Sequence, residues 1–347
     1  MVRRFLWGSL ALTPLVLLAR YAFHLGDTAL FLLAAAALVP LAWVIGESTE
    51  QAAEHTGPGV GGFLNASFGN APELIIALFA IDNGLTDVVR GSITGSIVSN
   101  LLLVLGVAVV LGPESDLDRR SLASNLGLVA LAVLLFLVPT VPGLHGDPNR
   151  HALAVASLPV AIVLLLVYAA VTRRHLRRHH RAHAASGLEP REGGWSLPLS
   201  LGALAVATGA TAIVSEILVH SLTHFADEVH LSEFFTAAVI VAIVGNAAEH
   251  GGAVVIARRG KMHLATEIAV SSSAQVALFV AGAVVVISWA ITPLALAFRG
   301  IELGTMGGAA LVVGLVTLDG RSRRWEGVLL IAAYAAVALG YFLVGDR

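Results

Sequence analysis

The chain has 347 residues, 57 % of them hydrophobic and 13 % charged, with a mean hydropathy of +0.84. Soluble domains carry about 25 % charged residues, so the composition excludes that class and reads as an all-α membrane protein. The absence of cysteine excludes disulfides and thiolate metal sites, and a net charge of −2, with the basic residues in short loops, points to no nucleic acid.

Eleven apolar segments are long enough to cross a bilayer as helices. The first, about 5–24, has the basic start of a signal peptide. Its length and the interrupting Arg20 favour a retained helix. The second, about 28–46, is followed by Glu47, Glu50 and Glu54, read as interfacial charges at the inner side. Gly57-Pro-Gly-Val-Gly-Gly62 formally matches G-x-G-x-x-G but has no preceding strand. It reads as a flexible loop feeding a third helix, about 60–82. The next are about 88–111, 122–141 and 151–172. After a linker come about 197–218, 233–257, 264–289, 301–318 and 327–344. Glu216 and Glu267, near helix ends, can attract cations or sit at the interface, while Glu302 and Asp319 read as plain helix-end charges. Gly91-x-x-x-Gly95 permits close helix packing.

Alternating these spans across the membrane puts 16 of the 21 Lys and Arg on the N-terminal side. Arg150, Arg299 and Arg347 fall on the other, with Arg20 and Arg90 near its border. The positive-inside rule then makes the N-terminus cytoplasmic.

The sequence Gly-Asn-Ala-x-Glu occurs twice within apolar segments, at Gly69–Glu73 and at Gly245–Glu249. A charge near the bilayer centre costs about 2.5–3.5 kcal/mol on insertion scales, so two copies point to a built site. With a constant offset of 176, Asn70 falls on Asn246, Glu73 on Glu249, Ser96 on Ser272 and Gly106 on Gly282. The predicted organisation is an N-terminal helix (1–27), a five-helix unit (28–172), a basic linker (173–196) and a second five-helix unit (197–347). Five is odd, so the units run in opposite senses, the inverted-repeat plan of secondary transporters with a midplane site between halves. The linker, with His175, His179, His180 and His183, reads as solvated; anionic lipid and metal sensing are lesser alternatives.

Asn and Glu three apart share a helical face. Symmetry would bring Asn70 and Glu73 against Asn246 and Glu249, with Ser96, Ser99, Asn100, Ser272 and Gln275 nearby. These are all oxygen ligands, a set that suits Ca²⁺ and other hard cations. Two buried carboxylates repel one another when the site is empty, so it is expected to hold one divalent cation or protons, the physical basis of exchange. His250 can donate a hydrogen bond, titrate, or simply tie to a neighbouring helix.

With Gly46-Glu-Ser-Thr-Glu-Gln51, Ser92–Gly106, Val244–His250 and Ser271–Phe279, these stretches make the chain resemble the cation/proton exchanger family of the calcium/cation antiporter superfamily. The resemblance runs over nearly the whole chain. It implies an eleven-helix fold with two inverted five-helix repeats, bent at the motifs in the third and eighth helices. It also implies Ca²⁺ export by alternating access in exchange for protons. Glu73 and Glu249 would bind Ca²⁺ and protons in turn, with Asn70, Asn246, Ser96, Ser272 and Gln275 lining the site. Sodium/calcium exchangers have a similar Glu-to-Ser spacing of 23, matched by Glu73–Ser96 and Glu249–Ser272. Asn100 fits a further polar position of the superfamily; its counterpart Val276 does not, which argues against an extra Na⁺ site.

The basic linker and the short tail favour a prokaryotic protein of the cell (inner) membrane. Ca²⁺ is expected as transported substrate, with no cofactor; the partners are Ca²⁺, H⁺ and the bilayer, with a homo-oligomer possible. The alternative substrates are Na⁺ for Ca²⁺, or protons for another divalent ion such as Mn²⁺. No His-Glu-x-x-His or Gly-x-Ser-x-Gly is present, and no enzyme activity is expected.

Overall fold

The computed structural model describes residues 2–144, 151–186 and 194–345, without the side chains of 2–4, 57–63, 65–66 and 175–186. The described chain is helical apart from one two-residue strand pair. In order come α1 (Val2–Ser9), α2 (Leu12–Tyr21), α3 (Asp27–Phe68), α4 (Ala71–Asp82), α5 (Thr86–Leu111), β1 (Ser115–Asp116), α6 (Arg119–Gly143) and α7 (His151–Ser186). The second half has α8 (Leu197–Glu228), α9 (Glu233–Gly245), α10 (Ala247–Arg258), α11 (Met262–Ser288), α12 (Gly300–Val316), β2 (Arg321–Ser322) and α13 (Arg324–Val344). Among the described residues, seven helices are long and apolar enough to cross a membrane, or eight if the pair α9–α10, bent by 57°, counts as one span. Two shorter apolar stretches, Phe5–Tyr21 and Gly300–Val316, accompany them.

The sequence predicts a loop at Gly57–Gly62, but α3 runs unbroken from Asp27 to Phe68. The glycines and the proline there have weak helix propensity, yet the helix continues through them. Thr28 bonds Glu228 and Phe31 stacks on Phe225 at 4.2 Å. Further along, before Gly57, Gln51 accepts from the Trp195 backbone N–H at 2.9 Å, and His55 Nε2 meets the Trp195 carbonyl at 2.5 Å. α3 from Thr28 to His55 therefore packs antiparallel to α8. The backbone of α7 continues as helix to Ser186, into the expected linker. The side chains of His175, His179, His180 and His183 lie outside the described residues.

Gly91 and Gly95 set the approach of α5 to α9. A Cβ on Gly91 would lie 2.8 Å from the Phe234 carbonyl, and one on Gly95 2.0 Å from that of Ala238. The small-residue motif packs within one protomer. The strand pair, registered Ser115 with Ser322 and Asp116 with Arg321, joins the loop before α6 to that before α13.

Candidate functional site

Two helix breaks create the site. The chain turns out of α3 at Asn70 (φ −102°, ψ 21°) and out of α9 at Asn246 (φ −90°, ψ 14°). Helix resumes at once: Leu74 N–H donates to the Asn70 carbonyl and His250 N–H to the Asn246 carbonyl. Gly69 and Pro72 lower the cost of the first break, since proline has no N–H to lose in the first turn. Asparagine is a favoured N-cap because its side chain can accept from the first-turn amides. Neither Asn70 nor Asn246 does so. Their amides reach across to the other half of the molecule instead.

Asn70 Nδ2 donates to Gln275 Oε1 at 2.9 Å. Asn246 Nδ2 donates to Ser96 Oγ and to the Ala242 carbonyl, both at 2.8 Å. Asn100 Nδ2 donates to Asn246 Oδ1 and to Ser272 Oγ, both at 3.2 Å. His250 Nε2 lies 3.1 Å from Asn100 Oδ1. Asn70, Asn246, Asn100, Ser96 and Ser272 are buried; Gln275 and His250 are half-buried. Residues 70, 96 and 100 of the first half are thus tied to 246, 250, 272 and 275 of the second. Ser99 stands apart: its hydroxyl donates back to the Ser96 carbonyl at 3.3 Å, so it is next to the network but not bonded into it.

Glu73 and Glu249 occupy the third position of α4 and α10, where the positive end of each helix dipole favours a carboxylate. Glu73 is 3 % exposed, and both its oxygens lack a hydrogen-bond partner. Its carboxyl faces Gly245 across the interface, Oε1 lying 3.5 Å from where a Cβ on that glycine would be. Glu249 is half-buried. Among the described residues no three His, Asp or Glu gather as a metal cluster. The ligating capacity here comes from two carboxylates supplemented by neutral oxygens.

Backbone irregularities recur at the same spacing. A π-helical turn at Ser99–Val104 in α5 has a counterpart at Val276–Val280 in α11, five residues of which match at an offset of 176. Both follow the site serines by a few residues. A third π turn, Thr236–Val241, precedes the break at Asn246. Such turns are rare and frequent at functional sites.

The amide oxygens are less open than the sequence suggests. Asn246 Oδ1, Asn100 Oδ1 and Gln275 Oε1 each already face a donor. A second cluster was not legible as one. Arg90 (3 % exposed) pairs with Asp87, which also meets Arg299 Nη2 at 3.1 Å. Arg299 Nε lies 3.4 Å from Glu302, which is fully buried, and its guanidinium stands over Phe234 at 5.2 Å. Glu302 reads as a helix-end charge in sequence, yet the cluster joins α5, α9 and α12. Glu216 and Glu267 are exposed.

The sodium/calcium exchanger protein family model matches residues 27–174 and 199–343, nearly the whole chain. The chain belongs to this exchanger family. It is 37 % identical to a Ca²⁺/H⁺ antiporter of Aphanothece halophytica, over 97 % of this chain and 95 % of that one. It is 38 % identical to the Ca²⁺/H⁺ antiporter ChaA of Bacillus subtilis, over 92 % and 94 %. The crystal structure of selenium-substituted Ca²⁺/H⁺ antiporter protein YfkE superimposes with a TM-score of 0.82 at 32 % identity, covering 98 % of this chain and 99 % of that one. Both motif copies and all three π turns fall inside the matched segments of this family member.

Proposed function

We propose that the protein is a Ca²⁺/H⁺ antiporter that exports Ca²⁺ from the cytoplasm by alternating access, with Glu73 and Glu249 as the shared cation and proton sites. The observation that carries this reading is the meeting of two Asn-x-x-Glu helix starts across the halves, with a buried Glu73 carboxylate that has no partner. A buried carboxylate needs a counter-ion or a proton. Two facing ones match one divalent cation in charge, or two protons. Loading the site with one or the other lets it cross the membrane neutralised, and forbidding the bare dianion couples the two flows.

The relatives named as Ca²⁺/H⁺ antiporters support the choice of ions. The ligand set would be the two carboxylates with Asn70 and the hydroxyls of Ser96 and Ser272, completed by water or backbone carbonyls as Ca²⁺ allows. Gln275, Asn246, Asn100 and His250 hold that set in place, and Ser99 borders it. Eleven spans, one N-terminal helix followed by two inverted five-helix units, fit this mechanism, with the N-terminus cytoplasmic in the cell membrane. Proteoliposomes of the purified protein test the reading: Glu73→Gln and Glu249→Gln must each lose pH-driven Ca²⁺ uptake while remaining folded.

A further inference from the structure

Three oxygen-bearing side chains between α6 and α11 take no part in the transport site. Asp118 caps α6, and its Oδ1 accepts from the Arg120 and Ser121 backbone N–H groups at 3.0 and 3.2 Å, which leaves Oδ2 open. Glu267 stands in the second turn of α11. Both line a cavity of about 10 Å³, room for one water or one ion. Asp118, Ser121 and Asn125, spaced i, i+3 and i+7, form one wall, and Thr266 and Glu267 the other. Asn125 is 6 % exposed, yet its amide makes no hydrogen bond among the described residues. Neither Asp118 nor Glu267 has an ion pair among them, although Arg119 and Arg120 adjoin Asp118 in sequence. The Arg119 stem lies against Gly320 instead. Buried amides are nearly always bonded, and one left over marks a water or an ion. A water would satisfy Asn125 and leave two unpaired carboxylates on the same cavity. A cation answers all three.

We propose that this cavity is a second cation site, for one divalent ion of the Ca²⁺ class, separate from Glu73 and Glu249. Asp118 Oδ2 and the Glu267 carboxylate supply the charge, and the Asn125 amide oxygen is the inner ligand. The Ser121 and Thr266 hydroxyls and water complete the shell. Thr266 donates its hydrogen to the Met262 carbonyl at 2.8 Å, so its oxygen lone pairs are free for an ion. No three His, Asp or Glu gather there among the described residues, and none need to. Two carboxylates balance a divalent ion, and the flexible shell of Ca²⁺ takes neutral oxygens and water for the rest. His263 lines the same cavity but is not needed as a ligand. The all-oxygen set favours Ca²⁺ over ions that prefer imidazole or thiolate. A bound ion joins α6 to the start of α11, the helix that carries Ser272 and Gln275. The site stands on its own geometry and does not depend on the transport reading above.

Equilibrium binding of radiolabelled Ca²⁺ to the full-length protein in lipid nanodiscs tests this. The double variant Glu73→Gln/Glu249→Gln removes the transport pair and is expected to keep one saturable Ca²⁺ per chain. Adding Glu267→Gln, a change at an exposed carboxylate, should weaken that ion about tenfold or more, because affinity follows the number of charged ligands. Adding Asn125→Leu, which keeps the side-chain size, should weaken it as well. A double variant that binds no Ca²⁺ leaves only a water in the cavity and overturns the proposal. So does residual binding that ignores both Glu267→Gln and Asn125→Leu. If the double variant fails to fold, the wild-type count decides: two Ca²⁺ per chain falling to one in Glu267→Gln is expected, and a count that Glu267→Gln leaves unchanged overturns the proposal. If the double variant binds as many Ca²⁺ as wild type, the transport-site reading fails instead, and the effect of Glu267→Gln still decides the second site.

Discussion

Gly95 offers the sharpest test of how the fold holds the site. A Cβ there would sit 2.0 Å from the Ala238 carbonyl oxygen and 2.6 Å from the Ala238 C and Cα, where real contacts do not fall below 3.0 Å. All three atoms are backbone, so no side-chain rotation relieves the clash. Gly95→Ala must part α5 and α9 by about 1 Å, the difference between those distances. Overpacking of this kind costs about 1–3 kcal/mol. The same parting acts on the neighbouring Ser96, whose hydroxyl accepts from Asn246 at 2.8 Å. Moved by about 1 Å, that bond exceeds the roughly 3.2 Å limit of a good N–H···O contact. Its loss removes about 1 kcal/mol, or about fivefold in Ca²⁺ affinity. Thermal unfolding in detergent and Ca²⁺ uptake in proteoliposomes read the two effects. Gly127→Ala is the control, since nothing lies within 4 Å of a Cβ there. If Gly95→Ala matches Gly127→Ala in both stability and Ca²⁺ affinity, the claim that close α5–α9 packing fixes the site is wrong.

Three other outcomes are expected. Glu73→Gln and Glu249→Gln should each abolish exchange with an unfolding midpoint at or above wild type, because each removes a buried charge; uptake retained by either rules out the paired-carboxylate site. Apparent Ca²⁺ affinity should fall as pH drops from about 8 to 5, since protons and Ca²⁺ compete for the same carboxylates and only the deprotonated pair binds the ion; a flat profile contradicts this. Arg299→Met takes a cation from the fully buried Glu302 and from Asp87, and breaking a buried ion pair costs about 3–5 kcal/mol. Its detergent unfolding midpoint should drop well below wild type, and an unchanged midpoint would mean the cluster is not structural.

Much of the site was legible because membrane sequences penalise polar residues. Asn70, Glu73, Asn246 and Glu249 stand out in apolar surroundings, and the offset of 176 pairs them before any coordinates are known. The breaks at Asn70 and Asn246 follow from the same motif, with Gly69, Pro72 and Gly245 beside them. Other features were not legible. Continuity of α3 through Gly57–Gly62 runs against the weak helix propensity of glycine and proline, so a local reading could not give it. Arg90 and Glu302 lie near helix ends, and whether such residues face water or each other depends on how α5 meets α12. Ser99 has the right chemistry, but its hydroxyl turns back to Ser96. That the Asn100 and Asn246 oxygens are already engaged by donors follows only from three-dimensional contacts.

The central claim is proton-driven Ca²⁺ movement through one shared site. Uptake of radiolabelled Ca²⁺ into proteoliposomes, under an imposed pH gradient without Na⁺ and then under a Na⁺ gradient without a pH gradient, tests it directly. The account predicts uptake in the first condition and none in the second. Uptake driven only by the Na⁺ gradient would contradict it.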